Sequence, residues 1–247
     1  MKFFIKRKNN QYKSIALRSA LFLMSAFAVF SSKCLAADNV TDKAKENVVA
    51  DSVFDARLVF EKLHSSALEI LPPSTRLDML DYWDVDSVYK ASNAMNGLSW
   101  LENVSQDFLK VQITPVSNLE IKILPDKNGK IVMTVYTVGD EIQAQDSQIK
   151  FYDENLAELV ESKYLVMPQL KDFFEIPKGS ATKMKEIEQM IPFPTVAFSA
   201  NPDNNNLEAR LTVEKYVNQD DWNIARLFVK PSIILEWKKG KYSIKKN

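Results

Sequence analysis

The 247-residue chain carries 32 basic and 32 acidic residues, is 46% apolar, and has five glycines, one histidine (His64) and one cysteine (Cys34). The glycines (Gly97, Gly129, Gly139, Gly179 and Gly240) are too dispersed for a phosphate-cradling loop or a dinucleotide fingerprint, which argues against nucleotide cofactors, and no other cofactor is expected. One histidine and one cysteine leave no zinc site built from these ligands, and the charge balance lacks the basic excess that nucleic-acid binding needs.

The first 36 residues hold seven basic side chains, no acidic one, and an uncharged run from 19 to 30. That pattern predicts an export signal. The run spans about 18 Å as a helix, short of the roughly 30 Å of a hydrocarbon core, and the sequence Cys34-Leu35-Ala36 offers a cleavage site after Ala36. Lipidation at Cys34 is the minor alternative, because Lys33 precedes it where a small residue is needed. Removing 36 of 247 residues, and with them seven of the 32 basic ones, leaves an acidic excess of seven, no cysteine and hence no disulfide. No later stretch is apolar and long enough to span a bilayer as a helix. The expected location is outside the cytosol.

Residues 37–51 are polar and aperiodic and read as a flexible leader. From 52 to about 68, Phe54, Leu58, Val59 and Leu63 lie largely on one helical stripe that Pro72-Pro73 closes. A second helix is expected from Ser74 to Asp84, with Ser74 or Thr75 as its cap. From Leu98 the period becomes two: Leu109, Val111 and Ile113 alternate with Lys110 and Gln112, and Leu119, Ile121 and Ile123 with Glu120 and Lys122, as in half-buried antiparallel strands. Residues 131–138 are apolar or β-branched almost throughout, as in a central strand, and 147–152 adds another. Short turns at 115–118 and 126–130 make a meander the simplest pairing.

Helical segments are expected at 155–160, 168–174 and 180–190, the last opened by Ser180, followed by strands at 195–199 and 207–213. A helix starting near Asp220 carries Ile224, Leu227 and Phe228 up to Pro231, and a hairpin of 232–237 with 242–245 closes the chain. The fold class is therefore α+β: N-terminal helices, an antiparallel β-meander, central helices, a second strand pair, a helix and a C-terminal hairpin. Residues 52–247 form either one continuous domain or two closely packed subdomains dividing near 156.

Two segments, Thr75-Arg76-Leu77-Asp78-Met79-Leu80-Asp81-Tyr82 and Leu109-Lys110-Val111-Gln112-Ile113-Thr114-Pro115 with 118–125 after it, resemble a domain-of-unknown-function family of exported Bacteroidetes proteins. The resemblance extends over about 53–247, including Pro231, Trp237 and Gly240. It implies a signal peptide and a location in the periplasm or cell envelope of a Gram-negative bacterium, and brings no activity, cofactor, partner or site residue.

Asp78, Asp81, Asp84 and Asp86 form the most suggestive constellation, since Asp78 and Asp81 share a helix face. Such carboxylates bind calcium or serve as acid and base in glycoside hydrolysis, but a solvated helix face explains them more economically. Asp126-Lys127-Asn128-Gly129 imitates part of a calcium loop without its ligand pattern and reads as a turn. No metal site is expected. His64 reads as a surface helix residue, and Trp83, Trp100, Trp222 and Trp237 as packing rather than a carbohydrate platform. By elimination, the expected role is non-enzymatic binding of an envelope protein, a peptide or a lipid-like ligand through a sheet face or edge. The rival is a carboxylate-dependent hydrolase of glycans centred on Asp78 and Asp81.

Overall fold

A computed structural model describes residues 53–85, 89–140, 142–177 and 180–245. The export signal, Cys34, the leader and Asp86 lie outside the described residues. Helices α1 (Ala56–Lys62) and α2 (Pro73–Asp84) come first, then the strands of a seven-stranded antiparallel meander: β1 (Ala91–Ser92), β2 (Leu98–Val104), β3 (Phe108–Thr114), β4 (Ser117–Asp126), β5 (Gly129–Val138), β6 (Asp146–Tyr152) and β7 (Glu158–Leu159). Helix α3 (Ala181–Met190) leads into β8 (Val196–Ala200) and β9 (Asn206–Leu211), and helix α4 (Gln219–Ala225) into the hairpin β10 (Ile233–Lys238) and β11 (Lys241–Ile244). These last four strands form a second sheet in the order β11-β10-β9-β8. The architecture is α+β, as the pattern of elements predicts.

Turn chemistry sets the meander's register. Thr114 pairs with Ser117 and Asp126 with Gly129, each leaving a two-residue loop. In the last hairpin Lys239 and Gly240 both take positive φ, 54° and 75°, as a tight primed turn requires.

The period-2 alternation sorts the meander's side chains onto two faces, and both are covered. Leu109, Val111, Ile113, Leu119, Ile121 and Val132 pack under α1 and α2 with Val59, Phe60, Leu63 and Met79. On the opposite face Phe108, Leu124, Met133, Val135, Ile149 and Phe151 meet Phe198, Ala200, Leu207, Leu235 and Tyr242 of the second sheet. Glu120 and Lys122, which alternation alone would put in solvent, are therefore buried at 4% and 1% exposure.

Local differences from the expected elements have physical causes. Helix α1 stops at Lys62 rather than near 68, because Arg76 donates from one guanidinium nitrogen to the carbonyls of Phe60 (2.6 Å) and Leu63 (2.9 Å) and so satisfies its C-terminal end; residues Ser66–Leu68 make a separate 3-10 turn. Helix α2 begins at Pro73, whose missing N–H costs nothing in the first turn, rather than behind a Ser74 or Thr75 cap. Residues 155–160 are not helical: the Asp153 carboxylate accepts the N–H groups of Asn155 and Ala157, Leu156 turns at φ 61°, and β7 follows. The segment near 170 is the 3-10 helix Leu170–Phe173, closed by reciprocal bonds between Gln169 and Asp172. Helix α4 ends at Ala225, well before Pro231; it buries Ala225 and packs Trp222, while Ile224 and Leu227 stay exposed.

Candidate functional site

The groups with the most chemistry gather where β8 crosses the polar part of the meander's face. At the middle of β4, Glu120 has Lys110 of β3 beside it and Val135 of β5 on its other flank. One carboxylate oxygen accepts the Ala200 N–H at 2.7 Å, and the other lies 3.3 Å from the Ser199 hydroxyl and 3.7 Å from the Lys110 ammonium. Lys110 is shared with Glu102 at 3.3 Å. Burial pushes the Glu120 carboxyl above its ordinary value, and the Ala200 N–H, Lys110 and Ser199 only partly oppose that. Two residues along, the Lys122 ammonium reaches Asp107 at 2.8 Å and the Pro202 carbonyl at 3.1 Å, so two charged side chains of one strand grip the β8–β9 hairpin.

The outward N–H groups of β8 are all taken. Val196 donates to the Asp146 carboxylate (3.2 Å), Phe198 to the Ser147 hydroxyl (3.0 Å) and Ala200 to Glu120. This edge is thus sealed by side chains of the larger sheet, and strand addition at β8 has no free donors.

Beside the seal lies a cleft of about 250 Å³. Lys110, Asn118, Glu120 and Thr137 form its floor, and Ala197, Phe198, Ser199, Glu208 and Arg210 its wall. Gln145 closes one side and accepts a hydrogen bond from Arg210 at 2.9 Å. The lining is polar and carries both signs of charge. Among the described residues, the Asn118 amide and the Glu208 carboxylate have no hydrogen-bond partner, and neither Glu208 nor Arg210 is in an ion pair. A buried carboxyl with a raised pKa at a concave site makes this cleft the functional-site candidate.

The residues singled out in the sequence lie elsewhere. Asp78 and Asp81 are exposed on α2 and line neither this cleft nor those of about 380 and 420 Å³ elsewhere on the described residues. Asp84 pairs with both terminal nitrogens of Arg57, at 2.6 and 2.7 Å, and the guanidinium holds its carboxyl below the usual range. His64 follows the end of α1, exposed at the lip of the 380 Å³ cleft. The Asp126–Gly129 segment is the β4–β5 turn. Among the described residues no three of His, Cys, Asp and Glu are placed to hold a metal ion. Trp83, Trp222 and Trp237 pack against the two cores, and Trp100 carries the Lys90 ammonium 4.8 Å above its ring.

Glu120, Lys110, Asn118, Glu208 and Arg210 escaped sequence reasoning because each looks like the solvent side of an alternating strand. The one available hint is Glu120-x-Lys122 in a strand next to the almost wholly apolar 131–138: a central strand this apolar is covered on both faces, and its neighbour shares that cover.

No helix among the described residues is long and apolar enough to cross a membrane. No curated protein matches the chain. A domain of an uncharacterized protein from Porphyromonas gingivalis W83 shares the fold, with a TM-score of 0.65 and 18% identity over 76% of this chain and 96% of that one. The family model described as protein of unknown function (DUF3256) matches residues 48–242, and the chain belongs to that family.

Proposed function

We propose that the protein is exported, is trimmed near Ala36, and acts in the envelope as a non-enzymatic binding module whose ligand is a peptide lying in the cleft over Glu120. The observation that carries this reading is the cleft itself: an open site whose floor is anchored by a buried carboxylate and whose lining leaves an amide and a carboxylate without partners among the described residues. The polar lining disfavours a lipid-like ligand, and the sealed β8 edge disfavours strand addition there. A second reading, carboxylate-dependent hydrolysis of glycans, gains from the raised Glu120 pKa, which suits a general acid with Glu208 as the second carboxylate. It places the chemistry in this cleft rather than at Asp78 and Asp81.

Thermal unfolding of the protein in the presence of a peptide digest, soluble oligosaccharides or phospholipid vesicles separates these readings. A ligand present at a hundred times its Kd stabilises by about 2.7 kcal/mol. The peptide pool raises Tm, and Asn118→Ala abolishes the rise. If no class raises Tm, the binding reading fails. Accumulation of shorter saccharides that Glu120→Gln abolishes transfers the site to the hydrolase reading.

A further inference from the structure

Resting on that reading, we infer that the cleft recognises a free-ended zwitterionic dipeptide rather than an internal segment of a longer chain. Lys110 is already neutralised by Glu102 and Glu120 on either side, at 3.3 and 3.7 Å. The charges left for a ligand are those of Glu208 and Arg210, which alternate on β9 and sit opposite Ser199 and Ala197. Two residues apart on one face of a strand, they are separated by about 7 Å along the chain. They form no ion pair with each other; Arg210 spends one N–H on Gln145, and its remaining donors suit a carboxylate. In the same cleft the Asn118 amide presents one donor group and one acceptor, the complement of a peptide bond.

The chemistry called for is one ammonium, one carboxylate and an amide at most a residue or two apart. Size agrees: at about 30 Å³ per water, the cleft's 250 Å³ holds on the order of eight waters, the bulk of a molecule with about nine non-hydrogen atoms such as diglycine. An internal peptide segment would bring neither charge and would leave Glu208 and Arg210 partly desolvated and unpaired, which is how polar sites reject incomplete ligands.

Isothermal titration of the full chain with diglycine, N-acetyldiglycine and diglycinamide tests this. Diglycine binds, and each capped analogue binds at least tenfold more weakly. Arg210→Gln weakens diglycine at least tenfold but leaves diglycinamide unchanged, because that analogue lacks the carboxylate Arg210 would meet; Glu208→Gln does the same for diglycine and leaves N-acetyldiglycine unchanged. Both residues are exposed on β9, and unchanged far-UV circular dichroism and Tm verify that the variants fold. Equal binding of the capped and free compounds, or equal weakening of all three by either substitution, overturns the inference. If diglycine does not bind while the peptide digest still raises Tm, the zwitterion is refuted and the binding reading stands; if neither binds, both fail.

Discussion

Replacing Glu120 by alanine tests the coupling between the two sheets. The substitution removes the acceptor of the Ala200 N–H, a bond of 2.7 Å at a residue that is itself buried, and a buried donor left unsatisfied costs about 1–3 kcal/mol. Lys110 keeps Glu102, so the penalty is concentrated at β8. Taking about 2 kcal/mol, a domain of this size should lose about 4–8 °C in Tm. Glu120→Gln retains an acceptor oxygen and removes the ionisable group, so it changes stability by less than about 1 kcal/mol. The two substitutions also differ in pH dependence. Folding raises the Glu120 pKa, so the fold binds this proton more tightly than the unfolded chain does. The stabilisation from that proton is complete below the ordinary value of 4.5 and is lost as pH rises through the folded value. Stability of the wild type relative to Glu120→Gln therefore falls between acid and neutral pH. Urea unfolding of the three proteins across that range is the assay. An alanine variant as stable as wild type, a glutamine variant as damaged as the alanine one, or a wild type that gains stability relative to Glu120→Gln as pH rises refutes the reasoning.

Tyr242 is fully buried, its hydroxyl has no partner among the described residues, and burial holds the phenol above its ordinary value. Tyr242→Phe should leave Tm unchanged or raise stability by up to about 1 kcal/mol in calorimetry, and a clear loss would mean the hydroxyl is satisfied. The Arg57–Asp84 pair joins α1 to the end of α2, and Arg57 holds the Asp84 pKa down. Its contribution is present above the unfolded carboxylate value and is lost as pH falls through the folded one, so the Tm deficit of Arg57→Gln at neutral pH should fade in acid and shrink in high salt; a deficit independent of both contradicts the pairing. Gly139 sits at φ +98°, and a Cβ there would lie 2.4 Å from the Ala144 carbonyl oxygen. Gly139→Ala should cost about 1–3 kcal/mol in chemical denaturation. Gly97→Ala meets only the Asn93 side chain, at 3.2 Å, and should cost less; the reverse order would be wrong for this backbone.

The meander was legible because its strands carry a period of two and its turns are short: 115–116 and 127–128 each leave two residues between paired strands, as 239–240 does in the closing hairpin of the second sheet. Alternation also identified the Leu119, Ile121 and Ile123 face under the helices. It could not reveal what covers the other face. Glu120 and Lys122 follow the same pattern as solvated residues, and only the later packing of β8, about eighty residues along the chain, buries them. The cleft was invisible for the same reason, since its wall and floor are joined by tertiary contact alone. Asp78 and Asp81 stood out because they are close in sequence, yet a helix can present such a pair wholly to solvent. In α4 the misread phase came from giving Ile224 and Leu227 more weight than Trp222 and Ala225, which pack on the core. The 155–160 segment lost its helical reading to the Asp153 carboxylate, which takes N–H groups a helix would have used.

The central claim is that ligand binding happens over Glu120, and a ¹H–¹⁵N NMR titration of the protein with diglycine tests it most directly. The account predicts that the largest shifts fall on the amides of Asn118, Ser199, Ala200, Glu208 and Arg210, with α2 around Asp78 and Asp81 undisturbed. Saturable shifts confined to α2, or no shifts with diglycine and none with the peptide digest either, would contradict it.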